Sequence, residues 1–402
     1  MKYDFTSLID RRGRDALAVD GLGHNPGFTP DAPKPGFDPI PMWVADMNFP
    51  TAPVIQEKII ERTQHPAFGY FETSDEYYRA IVNWQSARNG VTGLEPRHIG
   101  YENGVLGGVI SSLNVLCSRG DKVLVHSPTY IGFTASLQNN GYSIVHSPLR
   151  RDKDGVWRMD YEDMEKKLAE NRIHATILCS PHNPCGRVWE RGELERAMAL
   201  FEKYDVSVVS DEIWSDILLN GNRFIPTQSV NDYARRHTVA LYAPSKTFNL
   251  AGLIGSYHII YDDRLRDRVR KESSLSHYNS MNVLSMHALI GAYSDEGQQW
   301  ADELCAVLSE NVNYACDHIA EHYAGISLAK PQGTYMLYLD CSRRCTETGT
   351  TIDGLLKAGW DVGVAWQDGR PFCQPDTIRM NLALPKSRIV EAFRRLDRYV
   401  FA

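Results

Sequence analysis

An α/β fold, built on a mostly parallel sheet covered by helices and followed by a smaller α+β unit, is what this sequence predicts, on three observations. Between residues 122 and 261 short apolar runs alternate with helix-like stretches, the rhythm of repeated βαβ units. Polar residues suited to chemistry stand just after four apolar runs, and open α/β sheets bind ligands outside the carboxyl ends of their strands. After about residue 285 the texture changes to a long helical stretch and then to separated strand-like runs.

Taken in order, the chain opens with Met1-Lys2-Tyr3-Asp4-Phe5, which has no apolar core of a signal peptide, so a cytoplasmic protein is expected. From 21 to 53 glycine and proline are dense, which predicts an extended arm rather than a helix. Val54 to Thr63 and Ser74 to Asn89 have helical spacing, with Phe68-Gly69-Tyr70 between them. Asn103-Gly104-Val105-Leu106-Gly107-Gly108 precedes a helix expected through Val109 to Leu116. Backbone amides there can face an anion, although the same residues also read as a plain loop-to-helix turn.

Strands are expected near 122–127, 142–147, 174–179, 206–210, 237–242 and 256–261, with Glu193 to Tyr204 as one covering helix. Beyond them come a helical stretch near 283–322, the run Gly333 to Leu339, the run Ile378 to Leu382 and a final helix from Arg388 to Val400. The expected division is an arm over 1–50 that adds to the smaller domain, a large domain over 51–285 and a C-terminal small domain over 286–402.

Composition narrows the class. The chain has 402 residues, 43% hydrophobic and 23% charged, an ordinary globular balance. A net charge of −7 provides no basic field for nucleic acid or an anionic membrane, and no run is long enough to span a bilayer. The eight cysteines are scattered without zinc spacing, so no metal site is expected and they read as reduced.

The chemistry-bearing residues are Tyr130 after the first of these runs, Asn183 in Ser180 to Gly186, Asp211 after Val206 to Ser210, and Lys246 in Ala243-Pro244-Ser245-Lys246-Thr247-Phe248-Asn249. A buried lysine loses its charge readily and becomes a nucleophile toward an aldehyde. By itself a lysine after a strand reads as a solvated loop cation. An aspartate in that position can cap a helix, and a tyrosine there can be core.

Together these residues resemble fold-type I pyridoxal phosphate (PLP) enzymes of the class I/II aminotransferase superfamily. Pro41 to Phe49, Phe68-Gly69-Tyr70, His182 to Trp189, Asp211-Glu212-Ile213 and Ser245 to Asn249 resemble more narrowly the MalY/PatB branch of cystathionine β-lyases and C-S lyases, over nearly the whole chain.

The resemblance implies an aspartate aminotransferase-like fold with a seven-stranded sheet. It also implies that Lys246 holds PLP as a Schiff base and serves as the Cα base, with Asp211 against the ring nitrogen, Asn183 at the phenolic oxygen and Tyr130 over a ring face. Gly104, Val105, Leu106 and Ser245 are then expected at the phosphate, and Trp214 beside the cofactor. Arg379, with Ala45 and Asn183, would hold the carboxylate of an amino-acid substrate, and Tyr70 would reach the phosphate of a partner subunit in a homodimer with shared sites.

Four positions depart from the pattern. Trp214 stands where tyrosine or histidine is usual, Ala243 where a phosphate-binding serine is usual, Ile254 where aminotransferases have arginine, and Asn48 where a second aspartate is usual. The implied activity is β-elimination from cystathionine, cysteine or an S-substituted cysteine to a thiol, pyruvate and ammonia. The rivals are an aminotransferase, and a regulatory protein that retains PLP and acts by contacting a partner.

Overall fold

The computed structural model describes residues 1–275 and 278–402. Its strands in chain order are β1 Ile40–Met42, β2 Ile99–Glu102, β3 Lys122–Ser127, β4 Ser143–Pro148, β5 Arg150–Arg151, β6 Trp157–Arg158, β7 Ile173–Cys179, β8 Ser207–Asp211, β9 Thr238–Tyr242, β10 Ser256–Ile259, β11 Ser327–Leu328, β12 Met336–Asp340, β13 Val364–Asp368 and β14 Thr377–Asn381.

Seven of them form one sheet in the order β2-β10-β9-β8-β7-β3-β4. From β9 through to β4 the pairings are parallel, and β10 runs antiparallel to both its neighbours. Helices cover both faces of such a sheet, so its central strands are apolar throughout instead of alternating. All five residues of β9 are buried, as are Val208 to Asp211 of β8. Helix Arg191–Lys203 shows how the cover is built: a capping box of Glu190 with Glu193 starts it, and Leu194, Ala197, Met198 and Phe201 form its buried stripe.

A second sheet has the order β1-β13-β14-β12-β11. The arm enters it directly, since β1 pairs in parallel with β13. The rest of the stretch from 21 as far as Ala52 carries no helix, as the proline and glycine density predicts, and Pro53 opens the helix that follows.

Three expectations need correction. The helix after Gly104 starts at Val105 instead of Val109, because Gly104 is its N-cap. The stretch 283–322 is two helices, Val283–Ala292 and Asp295–His322; Ser294 interrupts it by accepting a hydrogen bond from Gly297 N, the geometry of a new helix start. β2, β13 and helix Ile352–Asp361 stand outside the expectations, although that helix carries an apolar stripe at Ile352, Leu355, Leu356 and Gly359. No helix among the described residues is long and apolar enough to cross a membrane.

Candidate active site

The parallel strands deliver their polar ends to one rim. Cys179 and Asp211 end neighbouring strands and are paired in register, and Asp211 is likewise paired with Leu241 of β9, so the loop after β9 that carries Lys246 opens beside them. A cavity of about 210 Å³ lies there. Tyr130, Asn183, Asp211, Trp214, Ser245 and Lys246 line it, as do Ala45, Gly104, Val105 and Leu106, so ten of the predicted site residues share one wall. Ala243 and Ile254, two of the four departures, line it as well. A slightly larger cavity, about 240 Å³, lies against the N-terminal arm, and its Arg12 and Arg388 are already paired with Asp10 and Asp38.

Lys246 is half-buried on the cavity wall, and burial, followed by the nearby Arg379 charge, pushes its amine down to about 8 from the usual lysine range. Nζ donates to the Ala45 carbonyl at 2.9 Å. Asp211 is 4% exposed and accepts one hydrogen bond, from Ile213 N at 3.1 Å. Burial pushes its carboxyl up to about 7. It has no ion-pair partner among the described residues, although a buried carboxylate ordinarily takes one.

Asn183 accepts from Arg379 Nη1 at 3.1 Å through Oδ1, which leaves its Nδ2 donor free of protein partners among the described residues. Trp214 packs edge-to-face on Tyr335, ring centroids 4.7 Å apart, with Lys246 Nζ 5.7 Å from its own ring centroid. Its indole N–H makes no hydrogen bond among the described residues, so Trp214 meets the cavity as an aromatic wall with one spare donor.

Arg379 lies behind the cavity instead of lining it, 3% exposed. Three of its N–H groups are engaged, by Asn183 Oδ1, the Trp43 carbonyl at 3.0 Å and Gln367 Oε1 at 2.5 Å. A guanidinium has five. Nε is among the remainder, buried and without a partner among the described residues. Tyr70 lies outside the cavity, fully exposed on the loop between the helices Pro53–Thr63 and Asp75–Asn89.

These residues fit the cofactor that the resemblance implies. The unpaired Asp211 suits a protonated ring nitrogen, the depressed Lys246 amine suits an aldehyde, and the helix start suits a phosphate. At that start Gly104 takes φ +79°, which glycine adopts without strain, and its own N–H is engaged by the Glu102 carbonyl. Its part is therefore conformational: the unsatisfied amides are those of Val105, Leu106 and Gly107, at the positive end of a helix dipole. Ser245 adds a hydroxyl to the wall, and no guanidinium does.

Several residues of the site escaped the sequence reading. Asn381, Asn249, Gln367 and the pair Arg11–Asp46 (2.6 Å) hold the Trp43–Asn48 segment or Arg379 in place. Asn381 had a signal: two residues after Arg379 on one strand, it shares that residue's face. The others had none beyond their neighbourhood in the motifs.

A family profile described as Aminotransferase class I and II matches residues 40–396. Cystathionine beta-lyase PatB of Bacillus subtilis (strain 168) is 34% identical over 358 residues, 89% of each chain. Protein MalY of Escherichia coli (strain K12) is 30% identical over 96% of each. Among solved structures, the PLP-bound C-S lyase from Staphylococcus hominis superposes with a TM-score of 0.87 at 30% identity over 98% of both chains. Cystalysin from Treponema denticola, which contains a pyridoxal 5'-phosphate cofactor, gives 0.89 at 27% identity over 99% of this chain and 98% of that one.

Proposed function

The chain belongs to the class I and II aminotransferase family, and on that premise we propose that it is a PLP-dependent C-S β-lyase. Its substrate class is cystathionine, cysteine or another S-substituted cysteine, and water and that amino acid yield a thiol, pyruvate and ammonia. The observation that carries this reading is the near-full-length likeness to cystathionine β-lyase and C-S lyase proteins, joined to a cavity in which Lys246 and Asp211 lack ion-pair partners among the described residues.

Lys246 would hold the cofactor aldehyde, Asp211 its ring nitrogen, Asn183 its phenolic oxygen and Tyr130 a ring face. The amides of Val105, Leu106 and Gly107, with the Ser245 hydroxyl, would hold its phosphate. When bound, PLP supplies an electron sink for charge developing at the substrate Cα.

The protein's own residues do the rest. Arg379 presents its free Nε–H to the substrate carboxylate, as a planar charged donor suits. The Lys246 amine, with its lowered proton affinity, takes the Cα proton near neutral pH. Loss of that proton and departure of the thiolate from Cβ leave an unsaturated product that hydrolyses to pyruvate and ammonia. Trp214 and the apolar wall limit water around the reacting carbons.

The active unit in this reading is a homodimer. Phe68, Tyr70 and Ile254 are exposed apolar or aromatic side chains, and a phosphate cradle with Ala243 and Ile254 is short of donors for a dianion. Tyr70 of a second copy would supply one. The eight free cysteines suit a reducing cytoplasmic compartment. We assign residues 51–285 to the large domain and 286–402 to the small one, with 1–50 crossing between them.

Incubation of the purified protein with L-cystathionine, with L-cysteine, and with an amino acid plus 2-oxoglutarate tests the assignment. Pyruvate with stoichiometric thiol is expected. Glutamate formation without thiol release would make the protein an aminotransferase, and no turnover in any arm would favour the regulatory alternative.

A further inference from the structure

Five successive carbonyls, from Trp43 to Met47, each accept a hydrogen bond from a side chain. Trp43 O takes Arg379 Nη2, and Ala45 O takes Lys246 Nζ at 2.9 Å. Met47 O takes Asn249 Nδ2 and Arg11 Nη1, at 3.0 and 3.1 Å. The remaining two, Val44 O and Asp46 O, are taken by one group, Asn381 Nδ2, at 2.7 and 2.6 Å.

Asn381 thus grips the peptide on each side of the one whose carbonyl receives the lysine. Its Oδ1 accepts from Ala383 N at 2.7 Å, so both ends of its amide are fixed and the orientation of the group is determined. It is 1% exposed, and on β14 it stands two residues from Arg379. The same strand therefore carries the expected carboxylate donor and the clamp on the lysine's acceptor.

A carbonyl in a segment without regular structure is free to rotate with its peptide plane unless the neighbouring planes are held. Among the described residues only Asn381 holds both neighbours of the Ala45–Asp46 peptide. We propose that Asn381 is a positioning residue for Lys246: it fixes the Ala45 carbonyl as the acceptor on which the lysine amine rests, carrying its proton, whenever the amine is not bonded to the cofactor. Arg11, Asn249 and Asn381 then make the Trp43–Asn48 segment a strap that sets the distance between the lysine on the loop after β9 and the arginine on β14. Burial and the Arg379 charge lower the Lys246 proton affinity, the Asp46 and Asp211 carboxylates oppose them, and the Ala45 carbonyl is the acceptor on which the ammonium rests.

This inference rests on the lyase reading for its substrate, so the parent protein is assayed first; a parent that releases no thiol or pyruvate sinks that reading and leaves the clamp to be tested on the amine itself. Asn381→Leu is close in size, adds no charge beside Lys246 and Arg379, and removes both donations. The expected result in the holoenzyme is a fall in kcat of about tenfold or more, KM within about threefold, and an acid limb of the kcat profile displaced to lower pH, because an ammonium without its acceptor gives up its proton sooner. A loosened fold would lower kcat without moving that limb. If Asn381→Leu does not fold, Asn381→Ser is measured by the same criteria. The pH dependence with which the Lys246 amine of the cofactor-free protein reacts with pyridoxal phosphate gives an independent reading of the same proton. Parent-like kcat, or a fall in kcat with an unmoved acid limb and an unmoved amine titration, would overturn the proposal.

Discussion

Lys246 and Asp211 face opposite costs of burial, and each cost is what the cofactor relieves. Asp211 has its carboxyl raised from 3.8 to about 7, so between those values the folded chain binds more protons than the unfolded one and its stability falls as pH rises. At about 1.4 kcal/mol per pKa unit the cost above pH 7 is on the order of a few kcal/mol. Cofactor-free Asp211→Asn is therefore expected to unfold at a higher temperature than the cofactor-free parent at pH 8, the gap shrinking as pH falls toward 4. Calorimetry at the two pH values checks it, and a parent more stable than the variant at pH 8 would mean that Asp211 has a partner in the protein. Arg379→Ala is expected to raise KM for L-cystathionine on the order of 10- to 100-fold, charge-assisted hydrogen bonds being worth about 1.5–3 kcal/mol. Steady-state kinetics decides; an unchanged KM removes Arg379 from substrate binding. Lys246, Asp211 and Asn183 stand out because each is a distinctive chemical type at a strand end or in a motif, and Arg379 enters only through the family resemblance. Asn381 and Gln367 do not stand out, since an amide's role depends on which backbone or side chain the fold brings to it.

At the level of elements, the rim was legible for a physical reason: a strand buried on both faces is a continuous apolar run, and the first polar residue after it marks the sheet's edge. β2 is a four-residue edge strand and β13 has three apolar residues before Gln367 and Asp368, so neither carries such a run. The helix Val105–Leu116 carries the testable consequence. Gly104 sits at φ +79° with room for a methyl group, the nearest atom being Ile254 Cγ2 at 4.0 Å, so an added Cβ would act through backbone strain and not through collision. Strain of this sort costs about 1–3 kcal/mol. Gly104→Ala is thus expected to weaken PLP binding roughly tenfold by turning the Val105 to Gly107 amides away, as read by fluorescence titration of the cofactor-free protein. Equal affinity would move the phosphate site elsewhere.

For the molecule as a whole, the sequence order and the spatial order part company at the arm. Residues 40–42 precede the whole seven-stranded sheet yet pair with β13, and the segment that follows joins Lys246 to Arg379. No local pattern announces a strand whose partner lies more than three hundred residues away. The exposure of Tyr70 carries the prediction about assembly. Tyr70→Phe and Lys246→Ala, each impaired alone, should recover activity when mixed and allowed to exchange subunits, because one site then holds both native residues from different chains. No recovery after verified exchange would mean the site is not shared. The central claim, a single rim organised around Lys246, is tested most directly by saturating the protein with pyridoxal phosphate, reducing with borohydride and mapping the modified peptide. A single pyridoxyl group on Lys246 is the predicted result. Modification of a different lysine, or of none in a folded and saturated protein, would contradict it.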